Sequence, residues 1–155
     1  LLSRVPSAPP LVIAGAITSA ADPWIARASR PPLAGHVRFA GYVPDDERRT
    51  LLAEAHMLIQ PSLDEGFGLP VLEAMAVGVP VVISSGGSLP EIAGPAATPI
   101  APDDVEGFAS GMARLLDADA ACLAAERGLR RAGDFSWTDT AAKVARAYTE
   151  AVGRR

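Results

Sequence analysis

Glu65-Gly66-Phe67-Gly68-Leu69-Pro70-Val71-Leu72-Glu73 sets two carboxylates on either side of a glycine-paired turn that runs into a helix. An apolar run ending Ile59-Gln60-Pro61-Ser62 precedes it. The turn is therefore expected at the C-terminal end of a strand, where open α/β sheets bind their ligands. Gly66 and Gly68 allow positive φ and close approach of a ligand, so the amides of residues 66–69 can point outward together. A helix beginning near Pro70 adds unpaired N–H groups and partial positive charge at the same spot, and phosphate is the expected guest. Glu73 falls within about the first turn of that helix, where negative charge is favoured. A carboxylate only accepts hydrogen bonds, so Glu73 suits paired sugar hydroxyls such as those of a ribose. Glu65 can do the same for a second sugar across the phosphates. The layout describes a nucleotide-diphosphate sugar.

Working outward, short apolar runs end in Gly, Pro or Ser at Leu11-Val12-Ile13-Ala14-Gly15, Val37-Arg38-Phe39-Ala40-Gly41, Met57-Leu58-Ile59-Gln60 and Pro80-Val81-Val82-Ile83-Ser84. A weaker fifth is Ala97-Thr98-Pro99-Ile100. Continuous rather than alternating apolar character predicts strands buried on both faces of a parallel sheet. Between them, Pro44-Asp45-Asp46-Glu47 opens a helix with acidic residues at its positive end, residues 69–76 form a second stopped by Gly78, and residues 89–92 form a short turn or helix. Alternating strands and helices predict an α/β fold with a doubly wound parallel sheet, over about residues 10–102.

From about residue 103 to 155 the pattern is helical only, with segments over 105–116, 118–131 and 138–152. Ser136 or Thr138 is positioned to cap the last, and Val144, Tyr148 and Val152 repeat along one stripe. The 155 residues suit a single domain, 49% hydrophobic and 21% charged, with a net charge of −4. That balance argues against a nucleic-acid surface or a basic membrane-docking face, so an anionic ligand must be held locally. Cys122 is the only cysteine, which excludes an intrachain disulfide, and its alanine-rich setting reads as a small helix-facing hydrophobe. No transmembrane segment or signal peptide is visible. The expected compartment is cytoplasmic, with membrane association left open for a full-length enzyme. The start at Leu1 without a Met points to a segment of a longer protein.

The motif Pro61-Ser62, Glu65-Gly66-Phe67-Gly68-Leu69-Pro70, Glu73-Ala74-Met75-Ala76 and Gly78-Val79-Pro80-Val81-Val82 resembles the Glu-x7-Glu signature of the family 4, or group 1, retaining glycosyltransferases. Phe39-Ala40-Gly41-Tyr42-Val43, Gly87-Ser88-Leu89-Pro90-Glu91-Ile92, Ala101-Pro102-Asp103-Asp104 and Phe135-Ser136-Trp137 extend the resemblance over nearly the whole chain. It implies a Rossmann-like domain, the C-terminal donor-binding half of a GT-B fold. By it, Glu65 is the catalytic candidate and contacts hydroxyls of the transferred sugar. Gly66, Phe67, Gly68 and Leu69 lie against sugar and diphosphate, and Glu73 binds the ribose. Gly87 and Ser88 lie near the nucleotide, and Tyr42 borders the base. The reaction implied is transfer of a hexose with retention, without metal or other cofactor. The acceptor-binding N-terminal half is expected to be absent. The family's diphosphate-binding Arg and Lys have no counterpart before Leu11, where Arg4 is a poor substitute. The 155-residue chain alone is therefore expected to be inactive.

Other readings remain for the same residues. The domain could serve as a non-catalytic nucleotide-binding or scaffolding module of Rossmann type, or as half of a related GT-B nucleotide-sugar epimerase or phosphorylase. A glycosidase fits poorly, since hydrolysis requires a carboxyl kept protonated and a helix N-terminus favours the anion. Asp117-Ala118-Asp119 reads as solvated helix-end charge, His36 and His56 as surface or core-edge residues, Trp24 and Trp137 as packing residues, and Arg127, Arg130 and Arg131 as a solvated face.

Overall fold

The computed structural model describes residues 1–153. Strand β1 (Leu11–Ala14) leads through a short 3-10 turn into helix α1 (Asp22–Ala28). The chain returns as β2 (Val37–Gly41), parallel to β1 with Leu11 opposite Val37. Helix α2 (Asp45–Ala53) carries it to β3 (Leu58–Gln60). A second strand–helix–strand unit follows through α3 (Leu69–Ala76) to β4 (Val81–Ile83), parallel to β3 with Leu58 opposite Val81. Then come α4 (Leu89–Ala93), α5 (Val105–Arg114), α6 (Ala118–Ala132) and α7 (Trp137–Gly153).

The four main strands and the helix over residues 69–76 fall where the apolar runs predict them. The strands pair as two two-stranded parallel sheets, β1 with β2 and β3 with β4, instead of one unbroken sheet. The fifth strand reduces to a single bridge between Ile100 and Ser84, because Pro99 has no amide with which to extend a ladder. Helix α1 has no counterpart in the periodicity. It spans seven residues with Pro23 in its first turn, too few to show a repeat.

Burial concentrates around β4. Val81 and Ile83 face a core with Val71, Ala74 and Met75 of α3 and Leu89, Ile92 and Ala93 of α4, while Val82 packs with Phe108 of α5 and Leu115 on the opposite face. Helices thus cover β4 on both sides, as a continuous apolar strand requires. Strand β1 departs from that expectation, for Leu11 and Ile13 are exposed. Gly128 of α6 lets α3 approach closely, since a Cβ there would press on Met75 Cγ at 3.2 Å.

The helix ends follow local chemistry. Asp104 and Asp117 cap α5 and α6 by accepting from the amides of Gly107 and Ala120, and Ser136 accepts from Asp139 at the start of α7. Asp117 is thus engaged in a cap, as the solvated helix-end reading requires. Both tryptophans contradict the packing assignment: Trp24 is 68% exposed and Trp137 80%. Val144, Tyr148 and Val152 form a stripe that also faces outward, and Cys122 is an exposed thiol, not a packed hydrophobe. In each case the helix carrying the residue presents that side to solvent.

Candidate functional site

The signature turn leaves β3 at its C-terminal end and enters α3, as its composition predicts. Gly68 takes the left-handed conformation, φ 93°, at the N-cap of α3, and a Cβ there would meet Leu89 Cδ2 at 2.9 Å. Gly66 has no positive φ and open space where a Cβ would stand, so only Gly68 of the pair needs glycine's backbone freedom. Among the described residues no acceptor takes the amides of Gly66, Phe67, Gly68 or Leu69. These four consecutive free donors lie at the start of α3, a composition suited to an oxyanion.

Glu65 is held by its neighbours. Gln60 Nε2 donates to Glu65 Oε2 at 3.1 Å and to Ser62 Oγ at 3.0 Å, and Ser62 Oγ lies 3.5 Å from the same carboxylate oxygen. Behind it, the loop after β4 clamps the backbone. The amide and hydroxyl of Ser88 both donate to the Glu65 carbonyl, at 3.0 and 3.1 Å. Gly87, at φ 56°, passes so close that a Cβ would collide with that carbonyl. Fully buried Ser84 donates to the Ser62 carbonyl at 2.5 Å and accepts from the Gly86 amide at 3.2 Å. Gly87 and Ser88 therefore join the site as supports of Glu65.

Glu73 is the fifth residue of α3 and lies just past its first turn, where the pull of the helix terminus fades. Positive charge reaches it from α2 instead, with Arg48 Nη1 2.9 Å from Glu73 Oε2. Phe67 meets Phe135 edge to face, centroids 6.3 Å apart, and the Arg131 guanidinium stacks on Phe135 at 4.7 Å. Arg131 also donates to the Glu91 and Ile92 carbonyls at the end of α4, which corrects its reading as part of a solvated face. Tyr42 stands apart on the β2–α2 turn, 79% exposed. Arg4 is engaged with Glu106 and Ser110 on α5.

Gln60, Ser84, Gly86 and Arg48 were not anticipated. A polar residue closing an apolar strand could have drawn attention to Gln60, and a serine ending the next to Ser84. Nothing local marks Arg48. Among the described residues no group of three or more His, Cys, Asp or Glu side chains is placed to hold a metal ion, and no helix is long and apolar enough to cross a membrane.

Parallel strand–helix–strand units, with a glycine turn of free amides at a strand's carboxyl end, define a Rossmann-like α/β architecture. The sequence profile described as glycosyl transferases group 1 matches residues 2–118. Over 115 residues, 74% of this chain, the sequence is 43% identical to the O-antigen chain mannosyltransferase B of Escherichia coli, covering 30% of that protein. Sucrose-phosphate synthase from Thermosynechococcus elongatus superposes with a TM-score of 0.81 at 25% identity, over 94% of this chain and 39% of the other. The C-terminal domain of a glycosyl transferase group 1 family protein from Francisella tularensis has the same fold, with a TM-score of 0.74 at 23% identity over 86% of this chain and 72% of that one. The chain belongs to the group 1 glycosyltransferases, as a C-terminal domain of their GT-B fold.

Proposed function

We propose that residues 1–155 form a single donor-binding domain of a retaining glycosyltransferase, which holds a nucleotide-diphosphate sugar for hexose transfer to an acceptor bound elsewhere. The observation that carries this reading is the row of unpaired amides from Gly66 to Leu69 at the start of α3, with Glu65 before it and Glu73 beyond it. The amides take the diphosphate, where negative charge grows as the sugar leaves. Glu73 accepts from the ribose hydroxyls. Glu65, braced by Gln60, Ser62 and Ser88, orients the sugar. In front-face displacement the bond from sugar carbon to diphosphate oxygen breaks. The acceptor oxygen bonds to that carbon from the same face, and its proton passes to the departing diphosphate. None of these steps asks for a metal.

Titration calorimetry with UDP and GDP tests the assignment. A hydrogen bond to a charged group contributes about 1.5–3 kcal/mol, and about 1.4 kcal/mol is tenfold in affinity. Glu73→Ala, losing two such bonds, is expected to bind its nucleotide on the order of a hundredfold more weakly. Unchanged affinity would refute the ribose role.

A further inference from the structure

The two signature carboxylates are held by different chemistry. Glu65 is steadied by neutral donors, the Gln60 amide and the Ser62 hydroxyl. Glu73 instead meets a cation from another helix: Arg48 Nη1 stands 2.9 Å from its Oε2, while Arg48 Nη2 lies 3.2 Å from Asp45 Oδ1 on its own helix. Arg48 Nε and Glu73 Oε2 are both enclosed without a hydrogen-bond partner. The 2.9 Å approach is therefore a Coulomb contact without hydrogen-bond alignment. With Nε enclosed and both Nη groups committed, the guanidinium's main target at the site is Glu73.

We propose that Arg48 is a positioning residue for the nucleotide, which fixes Glu73 through Oε2 and leaves Oε1 directed to ligand hydroxyls; this rests on the reading of Glu73 as the ribose acceptor. A glutamate beyond the first helical turn loses side-chain freedom when it binds, and that cost lowers affinity unless the rotamer is set beforehand. The planar guanidinium, itself tied to Asp45, sets it. A lysine would supply the charge with less geometric control.

The test titrates UDP, GDP and their 2′,3′-dideoxy counterparts into the 155-residue chain and its variants. Arg48→Met is expected to weaken the ribonucleotide about tenfold and leave its dideoxy counterpart unchanged. Arg48→Lys should recover part of the loss, and adding Arg48→Met to Glu73→Ala should cost nothing further. Full ribonucleotide affinity in Arg48→Met overturns the proposal. So do equal losses for both sugar forms, the pattern that misfolding or a direct diphosphate contact gives. If Glu73→Ala distinguishes the two sugar forms and Arg48→Met does not, only the role of Arg48 falls. If Glu73→Ala does not distinguish them, or neither nucleotide binds the unsubstituted chain, the ribose reading falls and this proposal with it.

Discussion

Ser84 shows how much of the site depends on one small buried side chain. Its hydroxyl joins the loop after β3 to the loop after β4, donating to the Ser62 carbonyl and accepting from the Gly86 amide. Gly86 itself packs so tightly that a Cβ would overlap the Ser62 and Leu63 carbonyls, which leaves little space for a substituting water. Ser84→Ala strands the buried Gly86 amide and leaves the half-buried Ser62 carbonyl without its donor, and the penalty for an unpaired buried group is about 1–3 kcal/mol. The expected result is a fall of about 1–3 kcal/mol in unfolding free energy by urea titration, together with weaker nucleotide binding as Glu65 loses its backing. A stability within about 0.5 kcal/mol of the unsubstituted chain would show that the two loops do not depend on this hydroxyl.

Among the elements, α4 and α6 are joined by Arg131, and the join reaches the signature turn through Phe135 and Phe67. Arg131 gives two hydrogen bonds to the last carbonyls of α4, which have no intrahelical partners, and covers the Phe135 ring. Its side chain is 23% exposed, so solvent screens part of that interaction. Arg131→Met is expected to lower stability by about 1–2 kcal/mol, whereas Arg127→Met, on the exposed side of the same helix, should stay within about 0.5 kcal/mol. Denaturant melts of the pair decide it, and equal effects would make Arg131 one more solvated charge. Such joins explain what could be read from the sequence. The cap at Ser136, the turn at Gly68 and the stop at Gly78 are local chemistry, and each lies where the residues predict it. The contacts of Arg131 with α4 and of Arg48 with α3 cross 25 to 40 positions of chain, and no spacing rule reports which helices become neighbours. The same limit misled the reading of Trp24 and Trp137, since aromatic character says nothing of which side a helix turns to solvent.

At the scale of the molecule, the signature turn is braced by the β4 loop while several of its residues stay exposed. Ser84, Gly87 and Ser88 back the turn from the β4 loop, and Leu89 of α4 packs close against Gly68. Outward, Phe67 and Leu69 are each 45% exposed, Leu63 83% and Tyr42 79%. Phe67 and Leu69, whose amides belong to the anion site, thus stay in contact with water, and charge that develops there during transfer is screened by bulk solvent; catalysis by fixed dipoles needs that water removed. The chain spans 30% of the length of the Escherichia coli relative, so most of such a protein lies outside the matched segment. The expected division is binding without turnover. The 155-residue chain should take up a nucleotide diphosphate, yet incubated with UDP- and GDP-hexoses it should transfer no sugar to added glycan acceptors. Radiolabel transfer above that of a Glu65→Ala control would overturn this, because it would place both acceptor binding and water exclusion within these 155 residues.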